Sequence, residues 1–326
     1  MACIGLVLGA GGVVGGAYHA GTLAALAEVA GWDGRDADVI VGTSAGSIAA
    51  AALRAGLAPA DHLARVTGAA LSLQGHGLIG RGRAGGRATD GEVTELRPRA
   101  TVRRDPRPVA PRLLASALLP PWSTRPGTAV AGLRPAGTVP TSAVGDRVRE
   151  LYDQPWPDET LWVCSLRLRD GVRVVFGRDP VTVPDVGTAV EASAAIPGYF
   201  TPVRIGPDRF VDGGAHSPTN ADLLAGMRLD LVVVISAMSA QWTALRPAPN
   251  LGSRVLAGWA LDREVRAIRA GGTPALVIQP TTADIRAMGS NTMAGRRGPQ
   301  VAEQARISAR RRLEHPSASE LVALLS

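Results

Sequence analysis

The feature that most constrains this chain is its opening, where one pattern occurs twice in succession. Residues 3–8, Cys-Ile-Gly-Leu-Val-Leu, are an apolar run that ends on a glycine cluster. A run that is continuous rather than alternating marks a strand buried on both faces, as in a parallel sheet. A helix is expected over 18–30, with Leu23, Leu26 and Ala27 on its apolar face. A second short strand is expected over 38–41. It meets Gly42-Thr43-Ser44-Ala45-Gly46, and an Ala-rich helix follows to about residue 54. Strand, glycine turn, helix, repeated, is the start of an α/β fold with a parallel sheet.

Later strands are expected over 161–168, 172–176, 231–235 and 275–278, the first two forming a hairpin through Asp170-Gly171. Helices are expected over 60–73, 186–194 and 300–325, the last interrupted by Pro316. The stretch 75–160 differs in kind. It holds Gly-Arg repeats and a Pro-rich segment, and between Arg97 and Arg125 seven arginines, among them Arg99, Arg103, Arg104, Arg107 and Arg112, stand against the single acid Asp105. An apolar segment at 113–122 is embedded there. We read 1–326 as one domain, 75–160 as a helical or irregular insertion or lid, and 300–326 as a helical tail. No unit repeats at the spacing of solenoid proteins.

Composition excludes several classes. The 39 glycines and 24 prolines follow no collagen period, and 46% apolar with 19% charged residues excludes a disordered chain. All 35 basic residues are arginine, and the net charge is +7. Arginine in place of lysine beside heavy Ala and Gly usage reads as coding bias. The charge still favours an anionic surface over an acidic partner. Aromatic residues are only 4% and no nucleic-acid module is present, so nucleic acid is not an expected partner. Cys3 and Cys164 are expected to be buried free thiols in a reducing compartment. The apolar N-terminus lacks a basic segment and does not read as a signal peptide.

Gly42-Thr43-Ser44-Ala45-Gly46 fits G-x-S-x-G, which exposes a serine on a tight strand-to-helix turn. Placed at a helix N-terminus, Ser44 would have unpaired N–H groups beside it, suited to developing negative charge. The plainer alternative is a serine N-cap on a glycine turn. The first cluster, Gly9, Gly11, Gly12, Gly15 and Gly16, fails the dinucleotide frame, because the third glycine would fall at Val14. No G-K-S or G-K-T occurs either, so no nucleotide cofactor is expected. Bare backbone amides ahead of a helix also suit an oxyanion.

A serine needs a base. The five histidines and two cysteines show no metal-ligand spacing, and no metal is expected. Asp212, in Phe-Val-Asp-Gly-Gly, ends a short apolar run on the turn formed by Gly213 and Gly214. His216 lies four residues on. Two arrangements remain open on the residues alone: a triad with His216, or a dyad in which Asp212 takes the proton. A carboxylate near pKa 4 is a poor base for an alcohol, so a dyad requires tight geometry and a preorganised oxyanion hole.

Three blocks carry a resemblance. Residues 9–15, Gly-Ala-Gly-Gly-Val-Val-Gly, run on to Leu23; Gly-Thr-Ser-Ala-Gly occupies 42–46; and 192–203 with 211–220 contains Ala-Ser-Ala-Ala-Ile-Pro-Gly and Val-Asp-Gly-Gly-Ala-His-Ser-Pro-Thr-Asn. In that order they resemble the patatin-like phospholipase family, with 75–160 unmatched. The resemblance implies a three-layer α/β/α sandwich with a mostly parallel sheet, and hydrolysis of lipid acyl esters by a Ser-Asp dyad without cofactor. It implies Ser44 as nucleophile, Asp212 as its partner, and Gly11 and Gly12 with Gly9 as the oxyanion hole. Gly42 and Gly46 belong to the elbow, Gly213 and Gly214 to the aspartate loop, and His216 has no counterpart. The chain departs from the family at Val14, where many members carry Arg or Lys.

The expected partner is a lipid or small hydrophobic ester. The expected location is cytoplasmic, with peripheral association at an anionic membrane through the Arg-rich segment 97–125. A transacylase would use the same residues, and a catalytically silent lipid-binding protein would keep the fold.

Overall fold

The apolar runs assemble into one eight-stranded sheet in a computed structural model, which describes residues 2–83, 106–113, 126–240 and 250–325. Its strands are β1 (Ile4–Leu8), β2 (Val39–Thr43), β3 (Thr160–Arg167), β4 (Arg173–Phe176), β5 (Val203–Ile205), β6 (Asp208–Asp212), β7 (Leu231–Ile235) and β8 (Ala275–Ile278). Their order is β5-β6-β3-β2-β1-β7-β8, with β4 also paired to β3. β3, β2, β1, β7 and β8 run parallel, whereas β4, β5 and β6 join in antiparallel pairs.

Helices cover both faces. The helices are α1 (Gly12–Ala30), α2 (Ala45–Arg54), α3 (Pro59–Thr67), α4 (Leu73–Arg83), α5 (Pro126–Leu133), α6 (Ser142–Arg149), α7 (Val186–Ser193), α8 (Leu251–Ala270), α9 (Thr282–Met288), α10 (Gly298–Leu313) and α11 (Ser319–Ala323). One core joins Leu6, Leu8, Ile40, Val233 and Ile235 to α1, α2, α7 and α10. A second joins Val7, Val41, Val232 and Val234 to Leu261, Val265 and Ile268 of α8. Successive strand residues thus feed opposite cores, which is why the strands read as unbroken apolar runs. The expected α/β sandwich with a mostly parallel sheet is the observed architecture.

Several boundaries move. The first helix starts at Gly12, not at residue 18, so most of the glycine cluster is helical. Low intrinsic propensity is overridden by packing on the sheet. The helix expected over 60–73 stops at Thr67, where Gly68 takes a left-handed cap (φ 78°). A second hairpin, β5–β6, turns at 206–207. The tail splits between α10 and α11 around Pro316. Cys164 is buried as expected, but Cys3 is only half-buried; both are free thiols.

Within 75–160 the described residues include most of α4, all of α5 and all of α6. Ala110 and Leu113 pack with Ala131 of α5 against Leu166, Leu168 and Val211, at the ends of β3 and β6. Arg97, Arg99, Arg103, Arg104 and Arg125, and the segment 114–122, lie outside the described residues.

One feature of the register positions the site. β2 pairs along β3 as far as Thr43 opposite Cys164, and β6 begins where β2 stops, with Asp212 opposite Ser165. β4 spans Val163 to Leu166 of β3 and so overlaps both, which assigns β2 and β6 to the same edge of β3. β2 runs parallel to β3 and β6 antiparallel. The two strands therefore run head-on, and their C-terminal ends meet.

Candidate active site

Ser44 follows the last residue of β2 and is the N-cap of α2, with φ 55° and ψ −122°. A left-handed backbone at a non-glycine residue stores about 1–3 kcal/mol of strain and needs surrounding structure to hold it. Three groups do so. The Ser44 N–H donates to Ser193 Oγ at 2.9 Å, and Ser193 Oγ donates to the Cys164 carbonyl at 2.6 Å. The Ser44 carbonyl accepts from the Ser47 N–H at 2.9 Å and from Ser47 Oγ at 2.6 Å. Gly46 lets α2 start directly beneath β1: a Cβ there would collide with the Leu8 carbonyl. Gly42 sits in β2 between Leu8 and Val163.

Asp212 closes β6. Its N–H donates to the Ala195 carbonyl at 3.0 Å, and Oδ1 accepts the Gly214 N–H at 2.7 Å. Gly213 opens the single 3-10 turn Gly213–Ala215 that brings that amide round. The Ser44 side chain lies beside the carboxyl, and both line one cavity. Only 3% of Ser44 and 6% of Asp212 is exposed. Burial dominates the Asp212 carboxyl and pushes its pKa up to about 6, against the opposing pull of Ser44 and Gly214. The weak-base objection to a dyad therefore meets a carboxylate whose proton affinity its surroundings have raised.

The glycine loop is pinned from three sides. Gly9 N–H donates to the Ile235 carbonyl at 3.0 Å, and Ala10 N–H to the Pro218 carbonyl at 2.7 Å. The Gly9 carbonyl accepts from His19 Nε2 at 2.7 Å, and burial keeps that imidazole neutral with a pKa of about 4. Gly9 is therefore removed from the expected oxyanion set, because its amide is already committed. Val14 N–H goes to the Thr292 carbonyl at 3.1 Å. The amides of Gly11 and Gly12, at the N-terminus of α1, find no acceptor among the described residues. Gly12 has φ 62°, and a Cβ on it would sit 2.7 Å from the Thr292 carbonyl.

Two cavities share this point. The larger, about 620 Å³, runs from Gly12 and Ser44 along the Ile48–Ala52 face of α2 to walls from α3 and α6. The smaller, about 260 Å³, is lined by Gly11, Gly12, Ser44, Asp212 and Met238 among others. A hydroxyl beside a carboxylate, unpaired backbone donors and an apolar cavity at one point suit attack on an uncharged carbonyl.

His216 is half-buried, with its N–H on the Gly213 carbonyl at 2.9 Å. Sequence reasoning missed Ser193 and His19. The signal for both was a small or polar side chain inside an otherwise apolar helical stretch. It also missed Asn220, whose Nδ2 donates to Thr43 Oγ1 at 3.1 Å and ties the end of β2 to the loop beyond Asp212. Among the described residues no group of three or more His, Cys, Asp or Glu could hold a metal ion. No helix among them is long and apolar enough to cross a membrane.

A family model described as patatin-like phospholipase matches residues 6–225, well over half of the chain. No curated protein matches it in sequence. Among solved structures, VipD from Legionella pneumophila is similar at 16% identity and a TM-score of 0.41, over 96% of this chain and 67% of that one.

Proposed function

The chain belongs to the patatin-like phospholipase family, which makes it a hydrolase of lipid acyl groups, and we propose that it cleaves lipid carboxylic esters at Ser44 with Asp212 as base. In the first step Ser44 Oγ attacks the ester carbonyl while its proton passes to Asp212. The Gly11 and Gly12 amides hold the resulting oxyanion, helped by the N-terminal dipole of α1. Collapse of the tetrahedral intermediate breaks the bond to the alcohol, which leaves with the proton from Asp212. Water, deprotonated by Asp212, then attacks the acyl-serine and releases the fatty acid. The acyl chain lies in the larger cavity and the alcohol over the smaller one.

The observation that carries this reading is the placement of the Ser44 hydroxyl beside a buried carboxyl of raised pKa, at the junction of two cavities. The test is the initial rate on short and long 4-nitrophenyl esters for wild type, Ser44→Ala, Asp212→Asn and His216→Ala. Loss in the first two variants with His216→Ala near wild type is expected. Near-total loss in a folded His216→Ala would replace the dyad by a triad. A wild type inert toward these esters and toward a lipid panel would remove the hydrolytic assignment.

A further inference from the structure

The larger cavity is apolar along α2, yet its opposite wall carries three basic side chains. His62 and Arg65 come from α3, one turn apart, and Arg147 comes from α6. Arg65 and Arg147 are both exposed residues, and neither side chain makes a hydrogen bond or ion pair among the described residues. Arg149, two residues after Arg147 on the same helix, is by contrast tied to Asp146, Asp185 and Glu191. His62 is only 9% exposed, and its Nδ1 is buried without a partner.

We propose that His62, Arg65 and Arg147 form an anion-binding subsite in the wall of the substrate cavity, so that the preferred substrate is an ester whose acyl chain bears a carboxylate at its far end. The proposal rests on the assignment of Ser44 as the reacting group, since the subsite and Ser44 line one cavity. The chemistry favours an oxyanion over a neutral polar group. Two guanidiniums offer planar forks that match carboxylate or phosphate geometry. Their mutual repulsion is relieved only when negative charge lies between them. Arg65 registers that repulsion: crowding by the cavity wall, and then the like charge of Arg147, lower its pKa. Glu150 offsets this in part without forming an ion pair with it. His62 is held neutral, with a pKa of about 3, first by burial and then by Arg65. It therefore enters the subsite as a hydrogen-bonding group, not a third cation.

The acyl chain lies in the larger cavity, so the anion sits at the far end of that chain. The test pair is the 4-nitrophenyl monoester of a ten-carbon diacid against 4-nitrophenyl decanoate. The variants are Arg65→Gln, Arg147→Gln and the double variant, with far-ultraviolet circular dichroism as the control for folding.

The expected result is that wild type prefers the diacid monoester by about 10- to 100-fold in kcat/KM. The double variant loses that preference, its kcat/KM values on the two esters falling within about threefold of each other. No anionic preference in wild type, or a preference unchanged in the double variant, overturns the subsite. If no ester turns over at all, the hydrolytic reading fails instead. The subsite is then decided by calorimetric titration of decyl phosphate and of decanoate monoanion into wild type and the double variant. Binding weakened at least tenfold by the substitutions sustains it, and equal or absent binding removes it.

Discussion

Replacing Asp212 by Asn should make the protein more stable at neutral pH while it removes activity. The carboxyl has an ordinary pKa of 3.8, raised to about 6 in the fold chiefly by burial. The folded state therefore binds this proton more tightly than the unfolded chain does. Between those two values the native protein holds more protons, so stability falls as pH rises through the window and is level above it. The gap corresponds to about 3 kcal/mol, the cost of carrying a buried charge at neutral pH. Asn keeps the shape and an acceptor oxygen for Gly214 without the charge. The assay is urea unfolding of wild type and Asp212→Asn at about pH 4 and about pH 8, compared as differences so that all other titrating groups cancel. The variant's advantage should grow by about 2–3 kcal/mol between the two conditions. A difference independent of pH, or one that shrinks toward pH 8, would falsify the claim that Asp212 is a desolvated carboxyl in the folded protein.

The same shift sets the rate profile: kcat/KM should rise with pH through about 6, reaching about half its plateau there, because Asp212 must be ionised to accept a proton. A profile already flat above about pH 5 would mean that the base is another group. Ser193→Ala removes the acceptor of the Ser44 N–H and leaves a buried donor unpaired, at a cost of about 1–3 kcal/mol. Both the melting temperature and kcat should fall, and an unchanged kcat would mean the turn is held without Ser193. Ile48→Trp, filling the larger cavity beside Ser44, should depress kcat/KM on long acyl esters at least about tenfold while short esters change little. Equal effects on both would place the acyl chain elsewhere.

Local signals in the chain were dependable where strand and turn chemistry agree. The paired strand–turn–helix opening, the turn that carries Ser44 and the strand end that carries Asp212 are each legible from a few adjacent residues. What was not legible depends on distant partners. Gly9 differs from Gly11 only because the Ile235 carbonyl, far along the chain, claims its amide. The start of α1 at Gly12 could not be read from glycines that disfavour helix and are held by packing against the sheet. α8 went unassigned although Ala257, Leu261, Val265 and Ile268 recur on one buried face. Exposed Leu251, Leu256 and Trp259 on its other faces blur the period. The meeting of Ser44 with Asp212 needs the β3 register, which no local pattern encodes.

That head-on meeting also bears on how the protein is made. During vectorial synthesis β1, β2 and β3 emerge with Ser44 already present, but its partner waits for β6 to be laid along the remaining edge of β3. β1 stays open on one side for longer still, because its second neighbour is β7 (Leu231–Ile235). A nascent or truncated chain that stops short of residue 212 carries the serine without the carboxyl. With the proposed Ser44–Asp212 pair, hydrolytic competence is acquired late in translation, and the same truncated chain exposes an unpaired apolar edge of the kind that chaperones and proteases engage.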